Sequence, residues 1–376
     1  MPKIIVLGAG RVGRVIARDL HEDPGIEVTV ADVREEYLAG LGERHGFATR
    51  AADLGDPARV RHLAADYDLA IGALPGALGL QTMEAVIEAS THYVDISFMP
   101  EDPRPLAHRA RDKGLIVLYD IGVAPGMSNV LLARGVRDLA PATFARYLVG
   151  GLPVVRRLPW EYEAPFSPID VVEEYTRPAR LVSGGRPRVR PALSDPELFE
   201  FPEVGTLEGF LTDGLRSMVD TVDCPHLEEK TLRYPGHADR IRVLRDTGFF
   251  DDREITLGGR SVNVRDFTFA LLDPAWFQHE GSKEFTVMRI EIEGTPDGTP
   301  ERIVWDLLDR TDTERGETSM ARTTGFPAAI CARHILAGTA PLSPGVHPPE
   351  ALAADGAFVD TLLRAHQKRG VRYLKR

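Results

Sequence analysis

The chain is poor in cysteine: two in 376 residues, Cys224 and Cys331, with no Cys-x-x-Cys spacing. That excludes a disulfide framework or a zinc ribbon and fits a reducing compartment. It also lacks any run of the roughly 18 apolar residues that a membrane span requires. The N-terminus enters a strand at once (KIIVLGAG), with no basic stretch leading into an apolar one. An unprocessed, cytoplasmic protein without a membrane partner is therefore expected. Basic residues are in deficit, 45 Lys and Arg against 56 Asp and Glu, for a formal net charge of -11. A non-specific nucleic-acid binder would need a basic face, so that class is excluded.

What remains is a composition 43% apolar and 27% charged, that of a soluble globular protein. The length favours two domains. The first third carries the clearest pattern. KIIVL reads as a strand and runs into Gly8-Ala9-Gly10-Arg11-Val12-Gly13, after which Val12, Val15, Ile16 and Leu20 give a helix one apolar stripe. Gly8 permits the tight turn, Gly10 lets the backbone approach a pyrophosphate, and Gly13 lets the helix lie close to the sheet. The pyrophosphate would then sit at a helix N-terminus, where free amides favour an anion. A second strand, IEVTVAD, ends in Asp32, 19 positions beyond Gly13. A carboxylate there can bond both ribose hydroxyls and repels a 2′-phosphate, which predicts NAD. Arg34, two residues on, leaves NADP open.

Strands and helices continue to alternate to about residue 124, which predicts a doubly wound parallel sheet of Rossmann type. Ligands on such sheets bind at the carboxyl ends of the strands. Cofactor contacts are expected there from Asp53 and Leu54, from Ala73, Leu74 and Pro75, and from Asp95 and Ser97. Val123, Ala124 and Pro125 in LYDIGVAPGMSN extend that rim, where the chain must leave the first domain. Beyond it the pattern becomes antiparallel: FTVMRIEIEG and ERIVWDLLDR form a pair around TPDGTP, and ARLVSGGRPRVR turns at Gly184-Gly185. GFPAAICARHIL reads as a helix with Pro327 in its first turn. The expected division is 1–124 for the dinucleotide-binding domain, 125–320 for an α+β substrate and dimerisation domain, and 321–376 for a C-terminal return onto the first domain.

GAGRVG, YDIGVAPGM, VGGLP at 149–153 and TLRYPGH at 231–237 occur in one order and spacing. FSPIDVVEEYTRPA, LEGFLTDGLRS and TSMARTTGFPAA add to them. Together they resemble the saccharopine dehydrogenase-like oxidoreductases, in particular the L-lysine 6-dehydrogenases, whose length this chain matches better than that of the longer saccharopine reductases. The resemblance implies a homodimer. It also implies NAD-dependent oxidation of the ε-amine carbon of lysine to allysine, which cyclises to piperideine-6-carboxylate.

Such chemistry requires an arginine for the substrate carboxylate, an acid for its ammonium and a base for the reacting amine, and no metal. Arg216 is the first candidate for the carboxylate clamp and Arg322 the second. Thr231, Arg233 and Tyr234 are expected to bind substrate. His237, Asp95, Asp120 and Tyr175 are the candidates for acid–base and charge-pairing roles. Two alternatives stand beside this reading. One is a saccharopine-type dehydrogenase acting on a secondary amine, for which Arg156, Arg157 and Arg177 offer a second anion site. The other is an NAD-binding regulatory protein.

Overall fold

The computed structural model describes residues 1–278 and 281–376. The chain folds into two compact units. One comprises Met1–Arg134 with Ala321–Arg372, the other Gly135–Met320 with Tyr373–Arg376.

The first unit is built on a seven-stranded, wholly parallel sheet. Its order is Gly345–His347, Ile116–Leu118, His92–Asp95, Leu69–Gly72, Lys3–Leu7, Glu27–Asp32 and Ala48–Ala51. Ile4, Ile5, Val6 and Leu7 are wholly buried, as expected of a strand covered by helices on both faces. The Rossmann expectation is met, and one edge strand of the sheet comes from the C-terminal return. That return is tied to the first helix, Arg11–His21, by one carboxylate. Asp19 accepts from Arg333 (2.6 Å) and from Arg369 (2.5 and 3.1 Å), and is itself almost inaccessible. Removing one partner of a buried charge cluster leaves the others uncompensated. Asp19→Ala is therefore expected to lower unfolding free energy by about 3 kcal/mol, read from urea denaturation; an unchanged midpoint would contradict the arrangement.

The helix predicted at GFPAAICARHIL starts earlier than expected, at Ser319, and runs to Leu336. Pro327 therefore lies in its interior rather than its first turn, and the helix proceeds without an amide donor at that position. Gly325 lies within 3.1 Å of the Ile16 side chain, measured from where its Cβ would be.

The second unit holds a nine-stranded sheet. Its main path runs Glu197–Phe201, Gly205–Leu211, His226–Arg233, Ala142–Pro153, Glu284–Gly294, Glu301–Arg310 and Tyr373–Lys375. The pairing along this path is antiparallel except between Ala142–Pro153 and His226–Arg233, which run parallel. The hairpin at Gly184-Gly185 joins Ala179–Ser183 to Arg186–Arg190 as expected. FTVMRIEIEG and ERIVWDLLDR pair antiparallel as expected. Alternation along the strand His226–Arg233 puts Glu229, Thr231 and Arg233 on one face and Lys230 and Leu232 on the other. Leu232 joins Leu148, Leu207 and Val287 in one apolar cluster. A separate cluster contains Tyr162, Tyr175, Phe210, Ala238 and Trp276; the last four come from the helix Pro168–Thr176, the strand Gly205–Leu211 and the helices His237–Thr247 and Val264–Trp276.

Candidate functional sites of the two units

In the first unit the glycine turn has the geometry its spacing predicts. Gly8 adopts φ +107° and donates its amide to the Ala31 carbonyl at 2.8 Å. A Cβ on Gly13 would lie inside van der Waals contact with the Gly8 carbonyl oxygen and 3.3 Å from the Ala73 Cβ. Gly10, at the N-cap of Arg11–His21, has nothing within 4 Å of a Cβ, so the backbone there is open to a ligand. Asp32 and Arg34 are joined more tightly than the sequence indicated. Asp32 accepts from the Ala9 amide (2.9 Å) and from Arg34 Nε (2.9 Å) and Nη2 (3.0 Å). Burial pushes its carboxyl up, but the Arg34 and Ala9 bonds together outweigh that and hold it below the ordinary value. Arg34 also lies over the Tyr37 ring at 4.4 Å, and its side chain remains 55% exposed.

Further along the rim, Asp53 accepts from its own loop at Gly55 (2.9 Å), while Leu54 is buried in the core. Ala73 follows the strand Leu69–Gly72, and its amide extends the sheet bonding to the Leu7 carbonyl at 2.8 Å. Leu74 packs on the same core as Leu54, and Pro75 is exposed.

Asp95 and Ser97 come together. Asp95 accepts from Tyr93 (2.8 Å) and from the Ser97 hydroxyl (2.6 Å) and amide (3.0 Å), all buried. Burial raises its carboxyl to about 7, against the lowering by Ser97 and Tyr93, and the Asp120 charge adds to the rise. Asp120 is buried with φ +55°, a backbone region that L-residues other than Asn and Asp rarely occupy. An acid whose folded value is raised destabilises the fold once it ionises. Stability should fall as pH rises from about 4 to about 7, by a contribution on the order of 4 kcal/mol from Asp95. Asp95→Asn should flatten that slope in urea unfolding at pH 5 and 8; parallel profiles would contradict it.

The segment after Asp120 closes on itself. Gly122 donates to the Pro125 carbonyl (2.9 Å), Met127 donates to the Gly122 carbonyl (2.9 Å), and Asn129 Oδ1 accepts the Gly126 amide (3.1 Å). Gly126, at φ +136°, leaves no room for a Cβ. Val123 is buried, while Ala124 and Pro125 stay partly accessible. Arg322, placed in this unit, donates Nη2 to the Arg369 carbonyl at 2.7 Å.

In the second unit, TLRYPGH splits. Tyr234, which alternation sets on the face opposite Thr231 and Arg233, joins the Leu148–Leu232 cluster and donates to the Pro153 carbonyl at 2.9 Å. His237 is buried with both ring nitrogens engaged. Nδ1 lies 3.0 Å from the Trp160 carbonyl and so carries the proton, leaving Nε2 to accept from the Tyr175 hydroxyl at 3.0 Å. Burial, with Arg233 beside it, pushes the ring down to about 3. His237 is thus a neutral imidazole with both ring nitrogens hydrogen-bonded. Burial likewise raises Tyr175 to about 12. Arg233 donates to Tyr175 (3.1 Å) and to Glu174 (2.9 Å), and lies 4.6 Å over the Tyr162 ring. This closed network engages Arg233 and Tyr175 with one another.

A second polar cluster joins the candidate Thr231 to Glu229 and Thr212, neither of which is among the sequence-based candidates. The Glu229 carboxylate is buried and accepts from the Thr212 hydroxyl (2.6 Å) and the Gly214 amide (3.1 Å). Thr212 and Thr231 share a hydrogen bond at 2.8 Å. Burial raises Glu229 to about 8, against the lowering by Thr212 and Gly214. Arg216, two residues past Gly214, is buried with φ +56°. Arg177 is held below its ordinary value by burial first and by the Arg216 charge second, and it pairs with Glu173 at 3.4 Å. Arg156 and Arg157 are instead paired with Glu161 (2.7 Å) and Glu163 (3.0 Å).

Among the described residues no group of three or more His, Cys, Asp or Glu side chains is arranged to hold a metal ion. No described helix is long and apolar enough to cross a membrane.

A family model described as the saccharopine dehydrogenase C-terminal domain matches residues 122–371, and one described as the saccharopine dehydrogenase NADP binding domain matches residues 4–118. The saccharopine dehydrogenase (NADP(+), L-glutamate-forming) of Schizosaccharomyces pombe is 23% identical over 448 aligned positions, covering 97% of each chain. The mitochondrial alpha-aminoadipic semialdehyde synthase of Bos taurus is 25% identical over 256 residues. That match covers 64% of this chain and 27% of that protein, so the chain spans about a quarter of its length. The apo saccharopine dehydrogenase (L-Glu forming) from Saccharomyces cerevisiae shares the fold, with a TM-score of 0.82 at 18% identity over 100% and 99% of the two chains.

Proposed function

Since this chain belongs to the saccharopine dehydrogenase family, we propose that it oxidises the C–H beside a secondary amine of an amino-acid conjugate, with saccharopine as substrate and NADP+ as hydride acceptor. The observation that carries the substrate side is the match to a saccharopine dehydrogenase over 97% of the chain, with Arg216, buried and held at a positive φ, as the candidate carboxylate clamp. Saccharopine offers several carboxylates. Lysine offers one, which makes the L-lysine 6-dehydrogenase expectation the second reading. The relatives from Schizosaccharomyces pombe and Bos taurus, a saccharopine dehydrogenase and a semialdehyde synthase, support the first.

The cofactor side rests on the Gly8–Gly13 turn and on Arg34. The open backbone at Gly10 fits a pyrophosphate. Asp32 by itself favours NAD. Its carboxylate is instead covered by Arg34, whose exposed guanidinium is placed to meet a 2′-phosphate. The matching domain model is an NADP-binding one, in keeping with this assignment.

When bound, the nicotinamide accepts the hydride. The chain's own residues orient the substrate and handle protons. Arg216 holds a carboxylate. Asp95, held near 7 beside Asp120, is the acid–base candidate of the first unit. Hydrolysis of the resulting iminium releases glutamate from saccharopine but ammonia from lysine. Quantifying glutamate and ammonia after incubation with each substrate and NADP+ tests the assignment: stoichiometric glutamate is expected from saccharopine, and ammonia from lysine with no glutamate from saccharopine would overturn it.

A further inference from the structure

We propose that Glu229 is a positioning residue: by accepting from Thr212 and Gly214 it fixes the turn that presents Arg216, and so sets the affinity for the substrate carboxylate. The inference rests on the reading of Arg216 as the carboxylate clamp. It goes beyond that reading by naming what holds the clamp.

Five observations converge. Glu229 is buried on the strand His226–Arg233, and its Oε2 accepts both the Thr212 hydroxyl at 2.6 Å and the Gly214 amide at 3.1 Å. The two donors lie in one short segment, Thr212-Asp213-Gly214-Leu215-Arg216, leaving the strand Gly205–Leu211. A Cβ on Gly214 would approach the Glu229 carboxyl carbon at 2.6 Å and the Tyr147 hydroxyl at 2.7 Å, so the turn is pressed against both side chains. Arg216 itself holds φ +56°, a conformation that persists in a non-glycine residue only where surrounding contacts impose it. The segment is also held by Asp213, whose carboxylate takes a bidentate pair from Arg180 at 2.7 and 3.0 Å. The turn is thus anchored before, at and after Asp213, with Glu229 supplying the buried anchor on the Arg216 side. Glu229, Thr212 and Thr231 need touch no substrate to matter.

A purely structural role would lower the active fraction and hence kcat without moving affinity. A positioning role moves KM for saccharopine and leaves KM for NADP+ unchanged. Glu229→Ala is expected to raise KM for saccharopine about tenfold, and Glu229→Gln, which keeps an acceptor at the same place, to raise it much less. In an Arg216→Ala background, Glu229→Ala should add nothing, since residues acting through one another are not additive. If Glu229→Ala fails to fold, Thr212→Val, which removes one of the two donors, carries the same comparison. Independent, additive effects of Glu229→Ala and Arg216→Ala, or an unchanged KM in Glu229→Ala, would overturn the positioning role. An unchanged KM in Arg216→Ala alone would instead overturn the clamp reading on which it stands.

Discussion

Gly13→Ala is expected to abolish dinucleotide binding and to cost about 2 kcal/mol of stability. The added Cβ falls inside contact with the Gly8 carbonyl oxygen and within 3.3 Å of the Ala73 Cβ. The first obstacle is backbone, so relief requires moving the turn itself. That turn is already constrained by Gly8 at φ +107° and by its amide bond to Ala31. Displacing it moves the amides that would face the pyrophosphate. Gly10→Ala is the informative contrast. Its Cβ meets no protein atom within 4 Å, so folding should be unaffected while the ligand loses its close approach. Titration of protein fluorescence with NADPH, beside urea unfolding, separates the two. Wild-type affinity in Gly13→Ala would contradict the placement of the cofactor.

The second large effect is expected at Arg216. Truncating a buried, charge-assisted contact to a carboxylate costs about 3 kcal/mol, which corresponds to roughly a hundredfold in KM for saccharopine. Arg216→Ala should therefore raise that KM by about two orders of magnitude and leave KM for NADP+ unchanged. Arg216→Lys should recover little, because a single ammonium does not reproduce a planar, two-pronged donor. Unchanged substrate KM would remove Arg216 from the site.

The dinucleotide-binding half is legible in the sequence because its determinants are local. Three glycines, a strand, a helix and an acid at fixed spacing need no long-range information. The proposal of NADP departs from the NAD expectation at one equally local point: Arg34 turns back onto Asp32 two residues away, and its side-chain direction is not written in the spacing. The substrate half is legible only in part. Period-two alternation in HLEEKTLR already places Glu229 on the face of Thr231 and Arg233, so that signal is present. What the sequence does not carry is that this face is buried, which turns an ordinary strand glutamate into an anchor. Tyr234 is legible, since the same alternation places it with Lys230 and Leu232, on the side of the apolar cluster it joins. The role of His237 is hidden because its proton is fixed by the Trp160 carbonyl, 77 residues away. Pro327 marks the same limit, since packing of Gly325 and its neighbours carries the helix through a residue that normally begins or ends one.

The central claim is that this family member oxidises saccharopine with NADP+. The most direct measurement is the rise in absorbance at 340 nm when the purified chain is given NADP+ and saccharopine at mildly alkaline pH, with L-lysine and NAD+ exchanged in to complete the set of pairs. The account predicts reduction with saccharopine and NADP+ well above every other pair. Reduction with L-lysine and none with saccharopine would contradict it.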